Sequence, residues 1–146
     1  MGRCRADVGS YPGHQRRRQV RRSIIECFGE EQPKVLDVGC GTGALLDIRR
    51  RKDEKLLDPR NYTGVDPSQA MVNQLFLKHP SFARLVPRRF EDCDDLDDDY
   101  DLVVVIDVPG PDQERLRELA SRLWVVRWAP EESDIHNRFG VPECMR

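Results

Sequence analysis

Three glycines at alternate positions follow a short apolar run, and this segment constrains the fold more than any other part of the chain. It reads Val35-Leu-Asp-Val-Gly-Cys-Gly-Thr-Gly-Ala44. Glycine reaches backbone conformations with positive φ and lets the chain approach a bound molecule closely. A helix behind such a loop directs free N–H groups toward the same space. We therefore predict a strand, a glycine loop that binds a nucleotide-type ligand, and a helix over residues 43–50.

Strand-like apolar runs and helix-like stripes alternate along the rest of the chain. The predicted strands cover residues 34–38, 62–66, 83–87, 101–107 and 124–128, and helical spacing recurs over 20–28, 71–76 and 116–123. This alternation is typical of an α/β fold that is doubly wound, with helices on both faces of a mostly parallel sheet of about five strands. Residues 51–60 read as a charged loop. Residues 129–146 lack a clear pattern.

Length and composition point to one domain. With 146 residues, we expect a flexible N-terminal arm over 1–15 and a single α/β domain over 16–146. The five cysteines form no CxxC pair, which favours reduced thiols in a cytoplasmic protein. No membrane span and no metal site are expected. The arginines of segment 16–22 read as a solvated helix face, so a nucleic-acid partner is not expected.

Two acidic residues decide between the ligand classes that a glycine loop can bind. Gly39, Gly41 and Ala44 fit the relaxed dinucleotide fingerprint, with Asp66 at a suitable distance for a ribose. Asp37, however, would repel a pyrophosphate. S-adenosylmethionine has no phosphate, and its ammonium suits an acid at the loop while loop amides bind its carboxylate. These residues favour S-adenosylmethionine, with NAD as the alternative.

Two motifs carry a resemblance to a known family. The segment 35–43 resembles the first motif of class I S-adenosylmethionine-dependent methyltransferases, and Tyr62-Thr-Gly-Val-Asp-Pro-Ser68 is similar to their second-strand motif. The resemblance spans roughly residues 20–128 and implies a Rossmann-like fold with S-adenosylmethionine as cofactor. It implies that Asp37 and the loop hold the methionine part and that Asp66 holds the ribose. The cofactor-binding residues expected on this basis are Asp37, Gly39, Cys40, Gly41, Thr42, Gly43, Asp66, Pro67, Met71, Phe90, Glu91 and Asp107.

The resemblance also frames the expected reaction, which is methyl transfer to a small-molecule acceptor that the sequence does not identify. Asp107, at the end of the fourth strand, is the candidate general base. Family members usually continue with two further strands, whereas only residues 129–146 follow the fifth strand here. That difference motivates an alternative: a non-catalytic S-adenosylmethionine-binding module or partner subunit, with a homodimer covering the exposed sheet edge. An NAD-binding oxidoreductase is the remaining alternative.

Overall fold

The main sheet has six strands within the part of the chain that the structure describes. The computed structural model describes residues 12–80, 84–106, 113–129 and 132–137. The strands are β1 Val35–Val38, β2 Arg49–Arg51, β3 Glu54–Lys55, β4 Tyr62–Val65, β5 Arg84–Val86, β6 Tyr100–Ile106, β7 Ala120–Ala129 and β8 Glu132–Asn137. The helices are α1 Pro12–Phe28, α2 Gln69–Lys78 and α3 Gln113–Leu119, with short 3-10 turns at Pro59–Asn61 and Phe90–Asp92. The main sheet has the order β5-β4-β1-β6-β7-β8, and β2 and β3 form a separate hairpin.

The central position of β1 in the sheet explains why its sequence is mainly apolar. β1 pairs in parallel with β4 on one side and with β6 on the other, and all four of its residues are buried. A strand covered on both faces must be apolar throughout, which accounts for Val35, Leu36 and Val38. The remaining member, Asp37, is a buried acid in the centre of the sheet. The carboxyl ends of β1, β4 and β6 meet at one edge, where ligands of such sheets bind.

Helices cover both faces, so the predicted doubly wound architecture is confirmed. On one face α1 contributes Val20 and Ile24 and α2 contributes Leu75 to a buried apolar cluster. On the other face Leu116 of α3 and Phe90 pack in a second cluster. Five parallel strands lie between these layers. None of the described helices has both the length and the apolar character needed to cross a bilayer.

The predicted helix over 43–50 is wrong. Turns occupy residues 41–47, and the β2–β3 hairpin begins at Arg49. Arg49 and Arg51 are exposed while Arg50 between them is buried, which is the alternation of a strand. Arg51 pairs with Glu54 across the hairpin at 2.5 Å, and Arg21 of α1 binds the backbone carbonyls of Arg49 and Arg50. These contacts hold the chain extended at Arg49–Arg51, where the spacing of apolar residues predicts a helix.

The two ends of the domain also differ from the sequence-based expectations. β8 pairs antiparallel with β7, so the unpatterned tail supplies a sixth strand and β7 is not the edge of the sheet. Its sequence, Glu132-Ser-Asp-Ile-His-Asn137, is polar, as befits an edge strand. At the other end α1 begins at Pro12, ahead of the predicted boundary at residue 16. Asp107 lies outside the described residues.

Candidate functional site

The glycine loop lies at the carboxyl ends of β1 and β4. Gly39, Gly41 and Gly43 all have positive φ, at 76°, 54° and 93°, a region that residues with a Cβ rarely adopt. The amides of Gly39 and Cys40 donate to the carbonyl of Val65 at 2.7 and 3.1 Å. The loop therefore folds back over the end of β4 instead of continuing away from the sheet.

Asp66 connects this loop to the start of α2. Its Oδ2 accepts a hydrogen bond from the Gly41 amide at 3.0 Å, and its Oδ1 accepts one from the Ser68 amide at 2.8 Å. The hydroxyl of Ser68 in turn caps α2 by accepting from the amide of Met71 at 3.3 Å. Each oxygen of a carboxylate offers two lone pairs. Asp66 is thus fixed in orientation while keeping acceptor capacity at the edge of the sheet.

Asp37 lies beside the loop and is bound by a buried tyrosine. The hydroxyl of Tyr62 on β4 donates to Asp37 Oδ2 at 2.5 Å, and the two residues are 0% and 4% exposed. Burial raises the pKa of the Asp37 carboxyl to about 7, with the hydrogen bond from Tyr62 lowering it and the charge of Asp66 raising it. Asp37 is therefore an acid whose charge changes near neutral pH.

Gly64 makes this contact possible because it stands opposite Asp37 in the sheet. A Cβ placed on Gly64 would lie 2.9 Å from Tyr62 Cε1 and 3.0 Å from Cys40 Sγ, so the tyrosine ring and the thiol occupy the space that a side chain would need. Burial, together with the nearby carboxylates of Asp37 and Asp66, raises the pKa of the Cys40 thiol well above its usual value. Cys40 is thus a packed, uncharged wall of the loop and not an activated nucleophile.

One side of α2 faces the loop. A Cβ on Gly41 would lie 3.7 Å from Met71 Sδ, and a Cβ on Gly43 would lie 3.1 Å from Leu75 Cγ. Leu75 is fully buried, whereas 46% of Met71 is exposed. Met71 is therefore the apolar group on α2 that lies over the middle glycine and remains available for a ligand.

A polar cluster holds the far end of the loop segment. His79, only 6% exposed, bonds through Nε2 to Asp47 Oδ1 at 3.0 Å and through Nδ1 to Lys55 Nζ at 2.8 Å. Because an ammonium only donates, Nδ1 accepts and Nε2 carries the proton. The amide of Asp47 also donates to the carbonyl of Gly43 at 3.2 Å. We call Asp47, Lys55 and His79 the polar latch, since it ties α2, the hairpin and the glycine loop together.

The other predicted site residues have varied positions. Thr42 is half-buried in the loop, and Pro67 is exposed beside Asp66. Phe90 is 5% exposed in the apolar cluster of the opposite face, with the guanidinium of Arg115 lying 4.3 Å from the centre of its ring. Glu91 is exposed. The structure brings Asp37, the loop, Asp66 and Met71 together, and it packs Phe90 into the apolar core instead.

The charge of the assembled site is negative. Asp37 and Asp66 form no ion pair with any residue in the described part of the chain, and within the same ranges no group of three or more His, Cys, Asp or Glu side chains could hold a metal ion. Two neighbouring carboxylates without a cation favour a ligand that brings positive charge. They disfavour a pyrophosphate at the same place.

Sequence reasoning missed the role of Tyr62, although the information was present. In a parallel pair the side chains at positions 62 and 64 of β4 and at positions 35 and 37 of β1 share one face. Asp37 faces a glycine in this register, and the nearest large polar group on that face is the tyrosine two residues earlier. A buried acid on one strand beside a Tyr-x-Gly sequence on the neighbouring strand therefore predicts the hydrogen bond from Tyr62 to Asp37.

Comparison with solved structures finds the same fold. Magnesium protoporphyrin IX methyltransferase from Synechocystis PCC 6803, with bound SAM, matches at 22% identity and a TM-score of 0.57, over 87% of this chain and 64% of that one. An amino pentose methyltransferase from Micromonospora echinaspora, also with SAM, matches at 20% identity and a TM-score of 0.53, over 81% of this chain and 51% of that one. The chain thus spans about half to two thirds of the length of these proteins.

A third similar structure is the plantazolicin methyltransferase BpumL in complex with SAH, at 21% identity and a TM-score of 0.52, over 79% of this chain and 46% of that one. No curated protein matches the sequence. The sequence profile of a methyltransferase domain family, however, matches residues 13–111, which include the glycine loop, Asp66 and the strand β6. The chain therefore belongs to this methyltransferase domain family.

Proposed function

We propose that this chain is a class I methyltransferase that uses S-adenosylmethionine as methyl donor and acts on a small-molecule acceptor. The observation that carries the proposal is the hydrogen bond between the Gly41 amide and Asp66, which joins the glycine loop after β1 to the acid after β4 at the carboxyl edge of the sheet. This edge is where a doubly wound sheet binds its ligand. Family membership and the SAM and SAH in similar structures support it.

The residues present fit this cofactor by their chemistry. Asp37 and Asp66 are uncompensated carboxylates, and S-adenosylmethionine carries an ammonium and a sulfonium but no phosphate. A Cβ on Gly41 would meet only Met71 Sδ, 3.7 Å away, so the backbone of Gly41 is open to close approach by a ligand. The same features argue against NAD, because Asp37 would face a doubly charged pyrophosphate.

Each group has a distinct task in this proposal. Asp37 pairs with the ammonium of the cofactor, and the loop 39–43 holds the rest of its methionine part. Asp66, already oriented by two amides, accepts hydrogen bonds from the ribose hydroxyls, and Met71 packs against the ligand next to Gly41. When bound, the cofactor supplies a methyl group on a sulfonium, which is activated for in-line displacement. The protein then contributes mainly alignment.

The proposal also includes a candidate base and a class of methyl acceptor. Asp107 follows directly after Ile106 at the end of β6, which neighbours β1, so it is the candidate base for an acceptor that must lose a proton. The similar proteins are named as methyltransferases of magnesium protoporphyrin IX, of an amino pentose and of plantazolicin. These substrates support a small-molecule acceptor here. We also retain cytoplasmic location as a proposal, supported by the free thiols of Cys40 and Cys93.

One observation favours a second candidate function, a cofactor-binding module without its own catalysis. The chain spans only 46–64% of the length of the similar structures named above. In that case a partner chain would complete the acceptor site. A second copy of this chain would do so by packing against β8, because β8 covers β7 and is the outer strand on that side of the described sheet.

Titration calorimetry of S-adenosylmethionine, S-adenosylhomocysteine and NAD into the wild-type protein tests the proposal. We expect micromolar binding of the first two ligands, and none of NAD. Asp66→Ala should abolish binding, and Asp66→Asn should weaken it while keeping an oxygen for the amide of Gly41. The matched control is Asp101→Ala. Asp101 also accepts a backbone amide, that of Lys34 at 2.9 Å, but at the opposite edge of the sheet.

The results of these titrations distinguish the methyltransferase, the cofactor-binding module and an NAD-binding protein. Binding that is lost in Asp66→Ala and kept in Asp101→Ala supports the cofactor site, and methyl transfer to any member of an acceptor panel then distinguishes an enzyme from a binding module. A folded wild-type protein that binds NAD, or neither methionine-derived ligand, would overturn the proposal.

A further inference from the structure

The contact between Tyr62 and Asp37 depends on an unusual local arrangement. Tyr62 is paired with Val35, and the residue paired with Asp37 is Gly64. The tyrosine therefore reaches two residues along its own strand, over a glycine that leaves room for the ring, to donate at 2.5 Å to Asp37 Oδ2. A side chain at position 64 would occupy this path. The hydrogen bond is thus built into the pairing of β1 with β4.

The surroundings of Asp37 make the hydrogen bond from Tyr62 important for the charge of its carboxyl group. From β4 it faces Tyr62 and, at the end of the strand, Asp66, and from the loop it faces the thiol of Cys40. The residue paired with it on β6 is Val104, which is apolar. Among the described residues no cation accompanies the carboxylate, so Tyr62 supplies the donor hydroxyl that stabilises its charged form.

We propose that Tyr62 is a positioning residue for cofactor binding: its hydroxyl orients Asp37 and stabilises the ionised form of the carboxyl, which is the form that pairs with the ammonium of S-adenosylmethionine. This inference rests on the proposed function, because it assigns Asp37 to the ammonium. It adds a residue that does not itself touch the cofactor.

The physical reason is the competition between burial and hydrogen bonding. Burial favours the protonated acid, and an acid held at a pKa of about 7 is only partly ionised at neutral pH. Removing the tyrosine hydroxyl removes a donor to the charged form, so the pKa of Asp37 rises further and less carboxylate remains. A protonated Asp37 offers the ammonium no opposite charge. Cofactor affinity then decreases most where the acid is most protonated.

The test is the ratio of S-adenosylhomocysteine dissociation constants for Tyr62→Phe and the wild type, measured from pH 6 to pH 9. The amino group of the ligand titrates in the same range, but it affects both proteins equally and cancels in the ratio. If the pKa rises by about one unit, we expect the variant to bind roughly tenfold more weakly at pH 6, with the ratio approaching one by about pH 9. A loss of packing alone would give a ratio that does not vary with pH.

Tyr100→Phe is the matched control. Tyr100 is a fully buried tyrosine of β6, and its hydroxyl has no hydrogen-bond partner within the described residues. Removing that hydroxyl should leave the dissociation constant and its pH dependence unchanged.

A second measurement keeps the inference separate from the proposed function. Carbon-13 NMR of the Asp37 carboxyl in the ligand-free protein should give a higher titration midpoint in Tyr62→Phe than in the wild type. Should Tyr62→Phe fail to fold, 3-fluorotyrosine labelling retains the ring and makes the hydroxyl a stronger donor, so the midpoint should decrease. A midpoint unaltered by either change would overturn the inference. An altered midpoint in a protein that binds no S-adenosylhomocysteine would instead overturn the proposed function, and with it the role of Tyr62 in binding.

Discussion

The amide of Gly41 lies 3.0 Å from Asp66 Oδ2 and donates a hydrogen bond to it. This contact links the middle glycine of the loop after β1 to the acid that follows β4. A carboxylate that accepts backbone amides forms a charge-assisted hydrogen bond and is fixed in geometry. The site is therefore preorganised by the chain itself, and changes at either residue should affect both loop conformation and ligand affinity.

Gly43→Ala should destabilise the protein and weaken cofactor binding. The φ of Gly43 is 93°, and the added Cβ would lie 3.1 Å from Leu75 Cγ, so backbone strain and crowding add together. We expect a loss of about 2–3 kcal/mol in the free energy of unfolding, measured in urea. Gly29→Ala is the control, since its φ is 59° and nothing lies within 4 Å of the new Cβ. It should cost only about 1 kcal/mol of backbone strain. Equal losses in the two variants would contradict the packing described for α2.

Asp37→Asn should stabilise the ligand-free protein above neutral pH. Burial raises the pKa of the Asp37 carboxyl in the folded protein to about 7, above its ordinary value of 3.8. The folded protein therefore holds an extra proton between these two values, and wild-type stability decreases as the pH rises through that window. Asparagine does not titrate, so the variant should resemble the wild type near pH 4.

The corresponding measurement is urea unfolding of both proteins at pH 4, 6 and 8. By pH 8 we expect Asp37→Asn to be more stable by roughly 2–4 kcal/mol, while S-adenosylmethionine binding is lost. Such an exchange of stability for function is typical of a residue retained for binding. A stability difference that is equal at all three pH values would show that Asp37 does not titrate as described.

His79→Ala tests the polar latch. The change removes two hydrogen bonds and leaves Asp47 and Lys55 without their shared partner, which should cost about 1–3 kcal/mol. Lys78→Ala is the control. Lys78 pairs with the same Asp47 at 2.9 Å, but its side chain is 41% exposed, so its loss should cost less than about 1 kcal/mol. Hydrogen exchange should also become faster at the Asp47 amide in His79→Ala alone. Faster exchange in both variants would argue against a specific role for the histidine.

Arg50→Met should be neutral or stabilising. The Arg50 side chain is 5% exposed, with Glu30 and Glu54 carboxylate oxygens 3.9 Å from Nε, and two of its nitrogens lack a hydrogen-bond partner among the described residues. Replacing a poorly satisfied buried charge by an apolar chain is often favourable, here by about 0–2 kcal/mol. Arg51→Met removes the well-formed exposed pairs to Glu30 and Glu54 and should lower the thermal stability slightly, because exposed ion pairs contribute little. The reverse order of thermal stability would contradict this account.

The strands of the sheet were predictable because their residues carry a clear signal. β6 is apolar over most of its length, and the Val35–Val38 run is followed by glycines that only a turn explains. The link between Gly41 and Asp66 was also foreseeable in outline, since both follow neighbouring parallel strands. Local patterns of this kind are sufficient where one arrangement satisfies both burial and backbone geometry.

The helix prediction for residues 43–50 was wrong because the apolar pattern on which it rests is short. Leu45, Leu46 and Ile48 fit helical spacing, yet the structure buries all three without a helix. The hairpin that follows depends on long-range contacts of Arg21 with the backbone of β2, and on a buried arginine that no local rule predicts. β8 was missed for a related reason, because a polar edge strand is defined by its partner β7.

A crystal structure of the protein with S-adenosylhomocysteine tests the assignment of the 39–43 loop, Asp37 and Asp66 to the cofactor. We expect the ribose hydroxyls to bind Asp66, the amino group to lie beside Asp37, and Gly41 still to donate to Asp66. A ligand bound away from the 39–43 loop, or ribose hydroxyls without a contact to Asp66, would contradict it.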